Sequence, residues 1–375
     1  MSDAAIATRP RLSHVDVAFL VLLVFVPATL VAAWQKAGAV TFVLAALALV
    51  PLARWIGTAT ELLAQRLGPG LGGLLNATFG NAAELIVAIA ALRAGETAVV
   101  KASLTGSILG NLLLVLGGTM LTAGLREVRP RFNATAALSS AALMYLAMVG
   151  LVVPDLFHAV LGAKVDPLMR PMSLGVSFIL IVLYALSLLF SLRTHAELFA
   201  GTDALDAELE SEVLAEDEAP EALPSLGWGL GILLVATGLT VVVSEVLVGS
   251  LEVAIHGWGL TPTFVGVVII ATVGNAAEHS TAILMALEGK LEVGIGICFE
   301  SSKQIALFVA PVLVFLSGPL GHPLTLEFSH LEVLALALAV GATTLVTLDG
   351  ETNWLEGAML LGVYAVLAIT FFFVP

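Results

Sequence analysis

The pentapeptide Gly-Asn-Ala-Ala-Glu occurs twice, at residues 80–84 and 274–278, each time near the start of an apolar stretch. Glu84 and Glu278 are thus carboxyls embedded in segments suited to hydrocarbon, where an ionised carboxylate is strongly disfavoured unless paired, hydrated or protonated. Two such groups brought together would bind a divalent cation when ionised and lose that capacity on taking up protons. Competition between a metal and protons for one pair of carboxylates is the minimum chemistry of a cation/proton antiporter, so both glutamates are the expected ion-binding and metal-binding residues. Asn81 and Asn275 stand three positions before their glutamates, on the same helix face. Each amide can donate to its carboxylate or lend its carbonyl oxygen to a metal. Gly80 and Gly274 allow a local helix break, and the backbone carbonyls that a break frees are hard oxygen ligands of the kind Ca²⁺ takes.

A second polar set follows each motif. Ser107 and Asn111 are four apart on one face of the fourth apolar stretch, and Ser301, Ser302 and Gln304 occupy the matching part of the ninth. The amides of Asn111 and Gln304 must find partners in apolar surroundings and are expected to line the site. The serines either join them or bond their own backbone. His279 is about 100° of helix beyond Glu278 and is expected to face a neighbouring helix. Glu300 and Lys303 are three apart and can pair on one face, either as a salt bridge beside the site or with the ammonium competing against bound metal. No His/Cys pair has zinc spacing, no glycine loop with a lysine cradles phosphate, and no serine sits in a nucleophile elbow. A zinc hydrolase, an ATP-driven pump and a serine hydrolase therefore have no support.

These residues need a membrane to sit in. The chain of 375 residues is 59% hydrophobic and 12% charged. That charge is about half of a soluble domain's, too little to coat a globule, which leaves a polytopic membrane protein. The single cysteine, Cys298, excludes a disulfide framework. A crossing helix needs about 20 mostly apolar residues. Eleven stretches qualify: 16–34, 38–56, 70–92, 97–122, 134–153, 172–192, 226–248, 262–287, 292–317, 328–347 and 354–373. Nine Lys and Arg fall on the N-terminal side of these spans, five on the other, and Lys303 inside one. That bias puts the N-terminus in the cytoplasm and the C-terminus outside.

The repeat extends beyond the pentapeptide. ATELLAQ at 59–65 resembles VSEVLVG at 243–249, aligning Glu61 near Glu245, and GSILGNLLLVLG at 106–117 resembles ESSKQIALFVAP at 300–311. With the first helix set aside, five spans precede a long connection and five follow it. Five is odd, so the second half enters the membrane inverted, a recurring plan of secondary transporters. The expected fold is all-α: a tail and leading helix (1–37), a five-helix repeat (38–200), an acidic connection (201–224) and a second, inverted five-helix repeat (225–375). The formal charge is −14, and nine of the 29 acidic residues lie in residues 203–221, which hold no Lys or Arg. Such a segment suits a solvated linker or a cation-gathering surface on the cytoplasmic side.

On these residues the sequence resembles the Ca²⁺/cation–proton exchanger family of the cation/Ca²⁺ exchanger superfamily. The resemblance covers nearly the whole chain, through GGLLNATFGNAAELIVAI, the GS-x-x-x-N-LLLVLG segment, the acidic connection, VGNAAEHSTAI and SS-x-QIALFVAPV. It implies one leading helix and two inverted five-helix halves, and an alternating-access antiporter that expels Ca²⁺ against inward proton flow without a cofactor. It also implies that Glu84 and Glu278 are the central carboxylates, surrounded by Asn81, Asn275, Ser107, Asn111, Ser302 and Gln304. Glu61 and Glu245 match acids lining the cytoplasmic approach. The sequence departs at Glu300-Ser301-Ser302-Lys303-Gln304, where the family usually has Gly-Ser-Ser, an apolar residue and Gln. The expected partners are Ca²⁺ or a related cation, protons and the lipid of a bacterial inner membrane, with no nucleic acid. An antiporter for Na⁺, K⁺ or Mn²⁺, a passive channel and an intramembrane metal-dependent enzyme share parts of this pattern. The inverted repeat favours a transporter over the channel and the enzyme.

Overall fold

The computed structural model describes residues 14–198 and 225–374, the side chains of 14–17, 69, 70 and 77 excepted. The acidic connection lies outside the described residues. Among these, the regular elements are helices, and a lone antiparallel bridge joins Arg131 to Glu351.

A leading segment, α1 (His14–Leu22) and α2 (Phe25–Trp34), packs on α3 (Ala39–Phe79), which turns at Gly68, where φ is 78°. After the first Gly-Asn comes α4 (Ala82–Arg93). Next, α5 (Thr97–Leu109) passes through a π-helical turn, Gly110–Val115, into α6 (Leu116–Arg126). The turn Gly162–Val165 joins α7 (Ala134–Leu161) to α8 (Asp166–Leu189). Beyond the connection come α9 (Leu226–Gly249), α10 (Leu251–Trp258), the stretch Pro262–Gly274 and α11 (Ala276–Leu287). The chain ends with α12 (Leu291–Gln304), a π-helical turn Ile305–Val309, α13 (Ala310–Ser317), α14 (His330–Val346) and α15 (Trp354–Phe373).

Six of the described helical segments are long and apolar enough to cross a membrane, and a pair bent by 116°, Leu251–Trp258 with Pro262–Gly274, makes a seventh. The remaining expected crossings are short or interrupted. The stretches 70–92 and 262–287 each break at their Gly-Asn, with Asn81 at φ −102°, ψ 31° and Asn275 at φ −93°, ψ 11°. Other boundaries move for physical reasons. The segment begun at 38 runs on to Gly68 rather than stopping near 56, because Arg54 and Glu61 face a cavity instead of lipid. The helices α7 and α8 extend past the expected ends at 153 and 172, holding Pro154 and Pro171 inside them.

Two packings position the site. Helices α3 and α9 run antiparallel: Thr41, near the start of α3, lines one space with Val246 and Gly249 at the end of α9, and a Cβ on Gly229, near the start of α9, would lie 3.1 Å from Leu63. Gly106 of α5 meets the Pro262–Gly274 stretch so closely that a Cβ would fall 2.0 Å from the Val267 carbonyl oxygen. Only glycine permits that approach, and it sets Ser107 against the second helix break. The face where the chain enters and leaves the acidic connection is here termed the connection face; there the Asn133 amide donates to the Leu198 carbonyl at 3.0 Å.

Candidate ion-binding site

The two helix breaks are joined by one buried hydrogen-bonded chain. The Asn81 amide donates to Gln304 Oε1. The Ser301 hydroxyl donates to Asn81 Oδ1 at 3.2 Å, and Asn111 Nδ2 donates to Ser301 Oγ at 2.8 Å. Asn111 Nδ2 also lies 3.4 Å from Asn275 Oδ1, and Asn275 Nδ2 donates to Ser107 Oγ and to the Ala271 carbonyl, each at 2.8 Å. All six side chains are buried. Each repeated asparagine is therefore tied to a serine of the other half. The π-helical turns of α5–α6 and α12–α13 fall at this level, where such widened turns commonly accompany functional sites.

Glu84 and Glu278 open α4 and α11, in the first turn after each break. Both oxygens of Glu84 and Oε2 of Glu278 are buried and accept no hydrogen bond from the described residues. Glu84 packs beside the other break, its Cγ 3.4 Å from where a Cβ on Gly274 would stand. Buried carboxylate oxygens normally find donors. Left bare, this pair offers hard oxygen ligands to a cation or accepts protons. Among the described residues no three His, Cys, Asp or Glu side chains gather around a metal position, so a transported ion would complete its shell from amide, hydroxyl and backbone oxygens.

The carboxylates differ in access. Glu278 lines a cavity of about 220 Å³, with Arg54, Glu61, Asn76, Gly80 and Asn81. Glu61 and Asn76 also line a second space of about 420 Å³ beside the Gly68 turn. Glu84 lines a separate pocket of about 20 Å³ with Ser103, Ser107 and Gly274. On the face opposite the connection, helix ends are tied together. His158 meets Asp166 and Glu327, each at 2.8 Å, His330 meets Asp155 at 2.8 Å, and Lys101 donates to the Glu327 carbonyl.

Two expected residues, Glu245 and Ser302, stand elsewhere. Glu245 pairs with Arg93 at 3.3 Å, both well exposed, away from the Glu61 cavity. The antiparallel run of α3 and α9 sends these aligned acids to opposite ends. The Ser302 hydroxyl donates to its own backbone at Cys298, 2.8 Å away, instead of joining the chain. Lys303 is buried and pairs with Glu300, which lines the cavity. His279 packs against Gly110 of the neighbouring helical segment, as its rotation from Glu278 implied. Arg54 and Thr281 were missed; the available signal was the spacing of Arg54 two turns before Glu61.

A family model for the sodium/calcium exchanger protein matches residues 37–193 and 228–373. The chain belongs to the sodium/calcium exchanger protein family. This exchanger is 46% identical over 362 residues to a Ca²⁺/H⁺ antiporter of Synechocystis sp., covering 95% of this chain and 97% of that one. It is 42% identical over 361 residues to a Ca²⁺/H⁺ antiporter of Aphanothece halophytica, covering 95% and 96%. The solved structure of native YfkE matches it with a TM-score of 0.79 at 35% identity, over 95% of this chain and 100% of that one. The exchanger is an integral membrane protein, by its family and its apolar helices.

Proposed function

We propose that this exchanger is a secondary antiporter that exports Ca²⁺ from the cytoplasm in exchange for H⁺, by alternating access around Glu84 and Glu278. It is a transporter and not an enzyme, and Ca²⁺ and H⁺ are its substrates, with no cofactor. The observation that carries this function is the pair of buried carboxyls with bare oxygens at two matching helix breaks. The identity of the ions comes from the Ca²⁺/H⁺ antiporters it resembles over nearly its whole length. Protons arriving from outside neutralise the carboxyls and displace the metal. When the site faces the cytoplasm the protons leave, and the ionised pair captures Ca²⁺ again.

Asn81, Asn275, Ser107, Asn111, Ser301 and Gln304 support the two carboxylates, and Gly80 and Gly274 make room for the breaks. Glu61 lies on the approach to Glu278. The architecture that fits best is a leading helix and two inverted five-helix halves, 38–200 and 225–375, with 70–92 and 262–287 each one crossing interrupted partway. The antiparallel packing of α3 on α9 supports that inversion. The Lys/Arg bias supports a cytoplasmic N-terminus and an external C-terminus, which makes the connection face cytoplasmic. A bacterial inner membrane fits the cyanobacterial relatives.

Everted vesicles carrying a pH gradient test this function. Added Ca²⁺ should release protons in the wild type, and Glu84→Gln and Glu278→Gln should each abolish that release. Full release from both variants would overturn it.

A further inference from the structure

Arg54 lies inside the cavity that leads to Glu278. It sits on α3 two helical turns before Glu61, so both project to one side, and both line this cavity with Glu278, Thr281 and Glu300. Arg54 Nη1 donates to Thr281 Oγ1 at 3.0 Å. Thr281 is three residues beyond Glu278, on the same face of α11, and its own hydroxyl proton goes to the Ala277 carbonyl at 2.9 Å. Its oxygen is therefore oriented to accept from the guanidinium. From the other side, Arg54 Cζ stands 5.9 Å from the centre of the Phe19 ring on α1, within cation–π range. Phe19 is itself buried. The guanidinium is thus held between the leading segment and the helix that carries Glu278, in the wall of the cavity that Glu278 also lines.

The guanidinium places a unit positive charge in the cavity without serving as a proton carrier. It is also one-sided. Aligning Glu61 with Glu245 sets Gly238 opposite Arg54, so the second half supplies no matching cation.

Resting on the antiport function above, we propose that Arg54 is a resident cation that sets the affinity of the Glu278 side of the site for transported ions. An entering ion has to take Glu278 against this fixed positive charge. The opposition scales with the charge of the incoming ion, so a divalent ion feels it twice as strongly as a monovalent one. The result is a site that captures Ca²⁺ without holding it too tightly to release. The leading segment, which stands outside both repeats, thereby gains a part in transport, because Phe19 keeps the guanidinium in the cavity.

The test measures the Ca²⁺ concentration for half-maximal proton release in everted vesicles, and the Ca²⁺ Kd of the purified full chain in detergent. Arg54→Gln should lower both by about threefold or more, while Arg54→Lys, which keeps the charge, should stay within about twofold of wild type. A disturbed fold does not tighten Ca²⁺ binding, so the gain separates a charge effect from a structural one. Unchanged or weakened affinity in Arg54→Gln would overturn the inference. Thr281→Val keeps side-chain size but removes the seat of the guanidinium. It should tighten binding by a smaller factor, and if Arg54→Gln fails to insert, unchanged or weaker affinity in Thr281→Val overturns the inference instead. Failure of the antiport function is distinguishable, because it appears in the wild type as no Ca²⁺-dependent proton release.

Discussion

The Asn275 amide donates to the Ser107 hydroxyl at 2.8 Å, joining a helix break in the second half of the chain to a continuous helix in the first. The reciprocal contact has the Ser301 hydroxyl donating to Asn81 Oδ1 at 3.2 Å. Neither half completes the surroundings of its own glutamate.

The two serines are unequal, and their variants should be too. Ser107 accepts from Asn275, whereas Ser301 both donates to Asn81 and accepts from Asn111. Leaving a buried polar group unsatisfied costs about 1–3 kcal/mol. Ser107→Ala should therefore lower thermal stability in detergent and weaken Ca²⁺-dependent proton release, and Ser301→Ala should do both more strongly. Equal or reversed effects would contradict this wiring.

The unequal access of the two carboxylates can be read chemically. Cys298 is the single cysteine and is buried, so Cys298→Ser supplies a clean background. In it, Thr281→Cys, in the wall of the 220 Å³ cavity, should react with a membrane-impermeant thiol reagent applied at the connection face. Ser103→Cys, beside Glu84 in the pocket of about 20 Å³, should react far more slowly. Similar rates at the two positions would contradict the unequal access of the two carboxylates.

The Glu300–Lys303 pair makes a signed prediction. The Lys303 side chain is 5% exposed, against 47% for Glu300. Removing the acid strands a buried ammonium, a loss of about 2–4 kcal/mol, while replacing the lysine by an apolar residue of similar length is close to neutral. Thermal unfolding in detergent should rank Glu300→Gln well below Lys303→Met, and the double variant should recover most of the loss.

Gly106→Ala should destabilise by about 1–3 kcal/mol and impair transport, since the added methyl collides with the Val267 carbonyl and pushes Ser107 off Asn275. Gly231→Ala, on an open helix surface, should be neutral or slightly stabilising. A neutral Gly106→Ala would mean that this close approach does not position the site.

Much of this was legible in the sequence for one physical reason: amides and carboxyls in apolar helices must find one another. Asn81, Asn275, Asn111 and Gln304 stood out on that ground, and they do meet. Arg54 did not stand out. Beside the apolar run ending near residue 56 it looks like a cation at the membrane edge, and only the continuation of the helix to Gly68 carries it into the cavity. Glu245 misled in the opposite way, because aligned positions in antiparallel helices occupy opposite ends. Ser302 shares its neighbours' composition but turns to its own backbone, a choice of rotamer that spacing does not encode.

The hydrogen-bonded chain from Gln304 to Ser107 also limits how the molecule can move. Sliding the two halves apart at their centre would strip partners from buried amides all at once. A rocking motion about that line leaves those contacts intact while the clasps of His158, His330 and Lys101 on the far face give way. In such a motion the amide chain would lie along the axis, where the protein moves least.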